Sequence, residues 1–165
     1  MSCVIHAIDM LKYTADVEVL ILGAGPAGIL FSQLLKINGA SRTVLASNKG
    51  RKMDIARQIC AGDEYVEFDR DSPDSQWTDL KERYPNGFDV VIDTTGSEEV
   101  LNKAIYYVRR GGTLLLYALY SSGCKIQWPV IYMFKEEIQI VTAIGQSGCF
   151  SRAIAYLESG NLTTD

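Results

Sequence analysis

Three glycines, at positions 23, 25 and 28, have the spacing in this chain that best suits a specific chemistry. They lie in the segment Gly-Ala-Gly-Pro-Ala-Gly, which matches the pattern Gly-x-Gly-x-x-Gly. In that pattern Gly23 allows a tight turn, Gly25 lets a phosphate approach the backbone, and Gly28 lets a helix pack closely on a strand. A helix that begins here presents unpaired N–H groups and the positive end of its dipole to an anion. The predicted diphosphate-binding residues are Gly23, Gly25, Pro26, Ala27 and Gly28.

The residues around the glycines supply the context that this pattern needs. A β-rich run covers Glu18–Leu22, and apolar residues recur at helical spacing over 26–38. Pro26 suits the first turn of a helix, where its missing N–H has no intrahelical partner. A glycine-rich connection without a ligand is the alternative, but a plain strand-to-helix turn does not need all three glycines.

Short apolar runs alternate with helical segments along the rest of the chain, which predicts a parallel sheet covered on both faces. Right-handed crossovers arrange six such strands as an open, doubly wound α/β sheet in the order 3-2-1-4-5-6, the Rossmann fold. Residues 1–16 are predicted to form a leading helix packed on the edge of a dinucleotide-binding domain that covers 17–165. The predicted strands cover 18–22, 43–46, 65–68, 88–93, 113–119 and 138–144, and the predicted helices cover 26–38, 51–60, 77–84, 98–110 and 150–159.

The turn after the second strand determines which nicotinamide dinucleotide fits. A carboxylate at this position normally accepts hydrogen bonds from the adenosine ribose, but residues 47–52 contain neither Asp nor Glu. Because hydroxyl, amide and ammonium groups suit a 2′-phosphate, we expect NADP(H) to be favoured over NAD(H). A solvated basic turn is the alternative, since Ser and Asn can also hold a ribose. The residues predicted to contact this part of the cofactor are Ser47, Asn48, Lys49 and Lys52.

Ligands of doubly wound sheets collect at the carboxyl ends of the strands. Thr94, Thr95 and Gly96 follow the fourth strand and are expected to line the path from adenosine to nicotinamide. Capping of the next helix is the alternative function for these three residues. Segments 120–123 and 145–147 follow strands five and six, so we expect them on the nicotinamide side of the site.

Composition restricts the partners and the location. The 165 residues carry a formal net charge of −4, which argues against a nucleic-acid partner. No apolar run is long enough to cross a membrane, and the N-terminus lacks the layout of a secretory signal, so we expect a cytoplasmic location. The four cysteines and the single histidine form no metal-binding pattern.

Four runs of sequence together resemble the cofactor domain of the medium-chain dehydrogenase/reductase family, the zinc-type alcohol dehydrogenases. These runs cover 19–40, 47–52, 88–97 and 106–119, and within the family they are most similar to fungal sorbitol, xylitol and D-arabinitol dehydrogenases. The resemblance implies hydride transfer between a nicotinamide and a polyol or ketose. It also implies association of cofactor domains into dimers or tetramers, with Ser47 where NAD-using relatives carry Asp and Lys52 at a commonly basic position.

The family binds its catalytic zinc in a separate GroES-like domain, and no part of this sequence resembles that domain. A catalytic zinc needs three protein ligands, so we expect zinc only in a full-length protein and assign no catalytic or metal residue here. This chain alone is expected to transfer little or no hydride.

Other functions fit parts of the pattern. A stand-alone module that senses the dinucleotide would differ in having no zinc-ligand domain encoded upstream. A flavin enzyme lacks support from the turn after strand two, and a methyltransferase seldom needs three glycines. Apolar residues over 128–144 near the sheet edge also predict a homodimer, with an ordinary buried face as the alternative.

Overall fold

The computed structural model describes residues 1–13, 15–145 and 148–163. At its centre lies a six-stranded, all-parallel sheet in the order β3-β2-β1-β4-β5-β6, which confirms the predicted doubly wound topology. The strands are β1 (Glu18–Leu22), β2 (Arg42–Asn48), β3 (Glu64–Phe68), β4 (Phe88–Asp93), β5 (Val108–Leu116) and β6 (Gln139–Thr142).

Helices cover both faces of this sheet. Along β1, Val19 and Ile21 belong to one apolar core, whereas Leu20 and Leu22 belong to the other, as strand geometry requires. All four side chains are almost completely buried, because β1 is covered on both sides. The helices are α1 (Ser2–Leu11), α2 (Pro26–Ile37), α3 (Arg51–Gln58), α4 (Asp74–Arg83), α5 (Glu98–Ala104), α6 (Val130–Lys135) and α7 (Phe150–Glu158).

The leading helix α1 packs against α2, α7 and β6. Its side chains Val4, Ile5, Ile8 and Leu11 are buried in the same core as α2 and α7. Helix α1 therefore belongs to the helices that cover one face of the sheet. Among the described residues, no helix combines the length and apolar character that crossing a bilayer requires.

The predicted helix over 98–110 is wrong beyond Ala104. Helix α5 ends there, one 3₁₀ turn follows over Ile105–Tyr107, and β5 begins at Val108 rather than at residue 113. Arg109 explains the difference, because its guanidinium donates at 2.9 Å to Asp89 Oδ1 on the adjacent strand β4 and at 2.7 Å to Glu18 Oε2 on β1, the next strand beyond β4. These tertiary contacts hold the segment extended and override its local helical pattern. The predicted strand 113–119 also ends earlier, at Leu116.

Helix α6 is a second difference from the sequence prediction, which assigned only an apolar stretch there. Its N-cap is Pro129, and a proline at a helix start was the available signal. Only four residues of the predicted strand 138–144 pair with β5, at Gln139–Thr142.

Arg109 and its neighbour Arg110 offer a matched test of the three-strand ion network. Arg109→Ala should lower the free energy of unfolding by roughly 2 kcal/mol, because it removes the guanidinium that pairs with two partly buried carboxylates. Arg110 forms an exposed pair with Glu137, so Arg110→Ala should cost about 0.5 kcal/mol or less. Urea denaturation of both variants measures the difference, and equal losses would show that Arg109 does not organise β5.

Candidate functional site

The fold requires glycine at both ends of the turn between β1 and α2. Gly23 has φ of +107°, and its N–H donates to Ala46 O at 2.7 Å. A Cβ atom at Gly23 would lie 2.5 Å from Thr94 Oγ1, and one at Gly28 would lie 1.9 Å from Gly23 O. Gly23 is thus needed for conformation and for space, and Gly28 for the close packing of α2.

Gly25 differs from the other two, because nothing in the described fold requires it to be glycine. Its φ of −73° and ψ of 176° are open to any residue. No heavy atom lies within 4 Å of an added Cβ at this position. The space beside Gly25 is therefore open, and a side chain there would narrow it.

Helix α2 begins directly after Gly25 without a capping side chain, and its first turn contains no acidic residue. The first N–H groups of a helix have no intrahelical partner, and the helix dipole adds positive potential at this end. Pro26 has no N–H of its own, so the donors of this turn begin at Ala27. The turn can therefore accept an anion from outside the chain.

The loop after β4 holds the glycine turn in place. Thr94 Oγ1 donates to Leu22 O at 2.8 Å, and Thr95 Oγ1 donates to Asp93 Oδ1 at 2.6 Å. Both hydroxyls are thus used inside the protein, although Thr94 and Thr95 line the clefts described below. Neither residue caps helix α5, because its N-cap is Ser97, whose hydroxyl accepts from Val100 N at 3.3 Å.

Two clefts open at the carboxyl edge of the sheet. The larger cleft, of about 640 Å³, lies beside the ends of β4, β5 and β6 and is lined by Ala27, Thr94 and Tyr120 among others. The smaller cleft, of about 320 Å³, lies beside the ends of β2 and β3 and includes Ser47 and Asn48. Thr95 lines both clefts, so the edge offers two compartments with a shared wall.

The structure places the predicted residues of the second turn in different surroundings. Ser47 and Asn48 line the smaller cleft, whereas Lys49 lines an adjoining depression of about 420 Å³. Lys52 is exposed on α3 and lines neither the smaller cleft nor the adjoining depression. Gly145, from the segment 145–147 expected on the nicotinamide side, lines the larger cleft, and the other two residues of that segment lie outside the described part of the chain.

The residues that follow β3 are absent from the predicted site. Asp69 and Arg70 line both the smaller cleft and the adjoining depression, because β3 pairs with β2 in the register Asn48 to Phe68. The rule that ligands collect at carboxyl ends, applied to the third strand, would have identified them. Asp69 brings a carboxylate beside Ser47, although its Oδ1 already accepts a hydrogen bond from Asp71 N at 2.9 Å.

Four cations at this edge have no carboxylate partner within the described ranges. They are Lys49, Arg51, Lys52 and Arg70, whereas Arg57, later on α3, pairs with Glu67 at 3.0 Å. Unpaired cations at the rim of a cleft raise the local potential and attract anions. Within the same described residues, no group of three or more His, Cys, Asp or Glu side chains is placed to hold a metal ion.

The sheet order and the glycine turn together define a doubly wound, nucleotide-binding type of domain. The family model described as zinc-binding dehydrogenase matches residues 26–159, most of the chain. The chain therefore belongs to the zinc-binding dehydrogenase family, and the predicted relation to zinc-type alcohol dehydrogenases is confirmed.

Known proteins show the same relation. The chain is 51% identical over 164 residues to D-arabinitol dehydrogenase 1 of Uromyces fabae, covering 99% of this chain and 47% of that protein. The chain thus spans about half the length of this curated relative. A Sinorhizobium meliloti 1021 structure described as a zinc-binding dehydrogenase bound to NADP superposes with a TM-score of 0.87 at 23% identity, covering 99% and 48%.

A second solved structure shows that the fold alone does not determine the cofactor. A short chain alcohol dehydrogenase of Escherichia coli CFT073, complexed with NADH, gives a TM-score of 0.84 at 16% identity and covers 98% of this chain and 46% of that one. One of these two neighbours thus holds NADP and the other NADH. At such identities the likeness concerns the fold.

Alanine substitutions at Gly25 and Gly28 test which glycine the fold needs. Gly28→Ala should destabilise the chain by about 3 kcal/mol or more, because its Cβ would overlap Gly23 O. Gly25→Ala should change stability by about 1 kcal/mol or less, since its backbone and surroundings accept a side chain. Thermal unfolding followed by circular dichroism measures the stability of both variants. A large loss of stability in Gly25→Ala would show that the fold does require glycine at position 25.

Proposed function

We propose that this chain binds a nicotinamide dinucleotide across the carboxyl edge of its sheet, with the diphosphate on the first turn of α2. The observation that carries this proposal is Gly25, a glycine that the fold does not require, beside open space and an uncapped helix N-terminus. Close approach of a diphosphate to the backbone gives a reason for glycine at that position. Gly23, Pro26, Ala27 and Gly28 complete the turn.

The two clefts suit the two halves of such a cofactor. The smaller cleft lies beside β2 and β3, where doubly wound folds hold the adenosine. The larger cleft lies beside Ala27, on the other side of the point between β1 and β4 where the strand order reverses. We assign Thr94, Thr95 and Gly96 to the wall between the two halves through their backbone, since both hydroxyls are engaged. When bound, the nicotinamide supplies hydride chemistry, and the chain's own residues bind and orient it.

We infer a preference for NADP(H) over NAD(H). Ser47, Asn48 and Lys49 surround the end of β2, and Arg70 adds an unpaired guanidinium from the end of β3. Guanidinium and ammonium groups bind phosphate oxygens through charge-assisted hydrogen bonds. Lys52 lines neither the smaller cleft nor the adjoining depression, so we assign it an effect through its charge alone. Asp69 favours the opposite choice, because a carboxylate suits a free ribose diol better than a phosphate.

For the whole protein, we propose oxidation or reduction of a polyol or ketose. The support is the 51% identity to a D-arabinitol dehydrogenase together with membership of the zinc-binding dehydrogenase family. Catalytic zinc and substrate contacts would come from residues beyond this cofactor domain, so we expect little or no hydride transfer by this chain alone. A cytoplasmic location is part of the proposal, since the cysteines form no disulfide among the described residues.

We also propose that two copies associate through the edge at β6. Strand β6 has a neighbour on one side only, and α6 beside it exposes Val130, Ile131 and Phe134, the last at 78%. Edge strands and exposed apolar side chains favour pairing with a second chain. Residues 128–144 would thus form the contact.

Titration of the chain with NADPH and NADH by calorimetry tests the binding proposal. Gly25→Val should weaken both by about tenfold or more, because a branched side chain blocks the approach to the helix N–H groups. The double variant Lys49→Ala/Arg70→Ala should lower the affinity for NADPH by about tenfold and change the affinity for NADH by about threefold or less.

The variant Lys12→Ala serves as a control, because it removes a cation away from both clefts and from residues 128–144. It should leave both affinities unchanged. If the chain bound neither dinucleotide, the proposed function would be wrong. If it bound NADH about tenfold more tightly than NADPH, the phosphate assignment would fail and Asp69 would become the ribose partner.

Sedimentation velocity tests the proposed dimer. The chain should sediment as a dimer at micromolar concentration, and Phe134→Glu should convert it to a monomer, because burying an unpaired carboxylate in the interface is costly. Ile154→Glu, on the exposed side of α7, is the matched control and should stay dimeric. A monomeric parent chain, or dissociation of both variants alike, would contradict pairing at β6.

A further inference from the structure

We propose that Asp93 and Tyr120 are positioning residues, which fix the loop after β5 and thereby shape the larger cleft for one half of the cofactor. The inference rests on the proposed function, because it assumes that a dinucleotide binds there. Its structural basis is a hydrogen bond of 2.7 Å from the Tyr120 hydroxyl to Asp93 Oδ2. Neither residue was singled out by the glycine pattern or by the basic turn.

Asp93 is a fully buried carboxylate whose two oxygens are both used. It is the last residue of β4, with 0% of its surface exposed. Oδ1 accepts from Thr95 N at 2.9 Å and from Thr95 Oγ1 at 2.6 Å, and Oδ2 accepts from Tyr120. A buried charge is costly unless such donors satisfy it. Asp93 therefore ties together the loops that follow β4 and β5.

Backbone contacts run beside this side-chain tether. Asp93 O accepts from Tyr117 N at 3.1 Å and Ala118 N at 3.2 Å, which holds the start of the second loop. Further along, a Cβ at Gly96 would lie 2.7 Å from Leu119 O, so the loops pass very close together. Tyr120 adds a side-chain contact at this point, and further along the loop Lys125 N donates at 3.0 Å to Glu98 Oε2 on α5.

Tyr120 is placed to act on the larger cleft. It lines that cleft together with Tyr117, Ala118 and Leu119, which form its wall on the β5 side. Leu119 is 89% exposed, so its side chain does little to hold the loop in position. The backbone contacts and the side chain of Tyr120 hold the loop. Burial, followed by the hydrogen bond to Asp93, raises the pKa of Tyr120 far above its ordinary value, so its hydroxyl stays a donor.

The tether should therefore matter for the nicotinamide half of a cofactor and not for the adenosine half. The smaller cleft, proposed for the adenosine, is lined by residues at the ends of β2 and β3 together with Thr95, Ser97 and α5, and Tyr120 is not among them. A merely structural function would affect both halves alike or neither. This difference separates a positioning function from a general contribution to folding.

The experiment compares Tyr120→Phe with the parent chain, using NADPH or NADH, whichever the parent binds more tightly, and the matching adenosine half, 2′,5′-ADP or AMP. Tyr120→Phe should lower the affinity for the dinucleotide by about tenfold and the affinity for the adenosine half by about twofold or less. Hydrogen exchange of the amides over 117–123 should become faster, while that of α2 stays unchanged. Tyr106→Phe removes a hydroxyl from an exposed ring elsewhere and should change none of these values.

A second variant keeps the test decisive if Tyr120→Phe is too unstable to use. Asp93→Asn retains an acceptor for Thr95, and its amide can donate to Tyr120 Oη, so the tether persists in reversed direction. It should bind the dinucleotide within about threefold of the parent and keep loop exchange slow. Equal weakening of both ligands in either variant, or unchanged dinucleotide binding in Tyr120→Phe, would overturn the inference. Absence of dinucleotide binding by the parent chain would instead overturn the proposed function.

Discussion

The close approach of Gly28 to the carbonyl oxygen of Gly23 is the contact on which the carboxyl edge of the sheet depends. A Cβ at residue 28 would lie 1.9 Å from that oxygen and 3.3 Å from Thr94 Oγ1. Thr94 in turn donates to Leu22 O, at the end of β1. Strand β1, helix α2 and the loop after β4 therefore meet at one point. Because they meet there, the first turn of α2 reaches the larger cleft through Ala27.

The central strands could be predicted from sequence because both of their faces are buried. Four of the six residues in the run Phe88–Asp93 are apolar for that reason. The start of β5 could not be predicted from sequence, since Val108 is followed by two arginines and two glycines that locally suit a helix end. Its strand conformation depends on Arg109 reaching Glu18, which lies 91 residues earlier in the chain. No short-range pattern records a contact of that length.

The candidate site shows the same division between local and long-range information. The glycine turn lies within one strand–turn–helix unit, so its position follows directly from residue order. The cleft beside β2 is different, because part of its lining comes from the end of β3 and from α4. Phe68 is placed there by its pairing with Asn48 and by stacking on Trp77, with ring centroids 4.4 Å apart. Asp69 and Arg70 reach the cleft only as a consequence of that packing.

The residues at the carboxyl edge of the sheet form two groups: those whose identity the fold alone explains, and those whose identity it does not. Gly23, Gly28 and Asp93 have structural partners that account for their identity. Gly25 and the unpaired cations, Arg70 among them, have none among the described residues. Cations gathered at one rim without carboxylate partners repel one another, so the stability of the fold gives no reason for their clustering. An open backbone on one side and free positive charge on the other both favour the same class of partner, an extended anion with more than one phosphate.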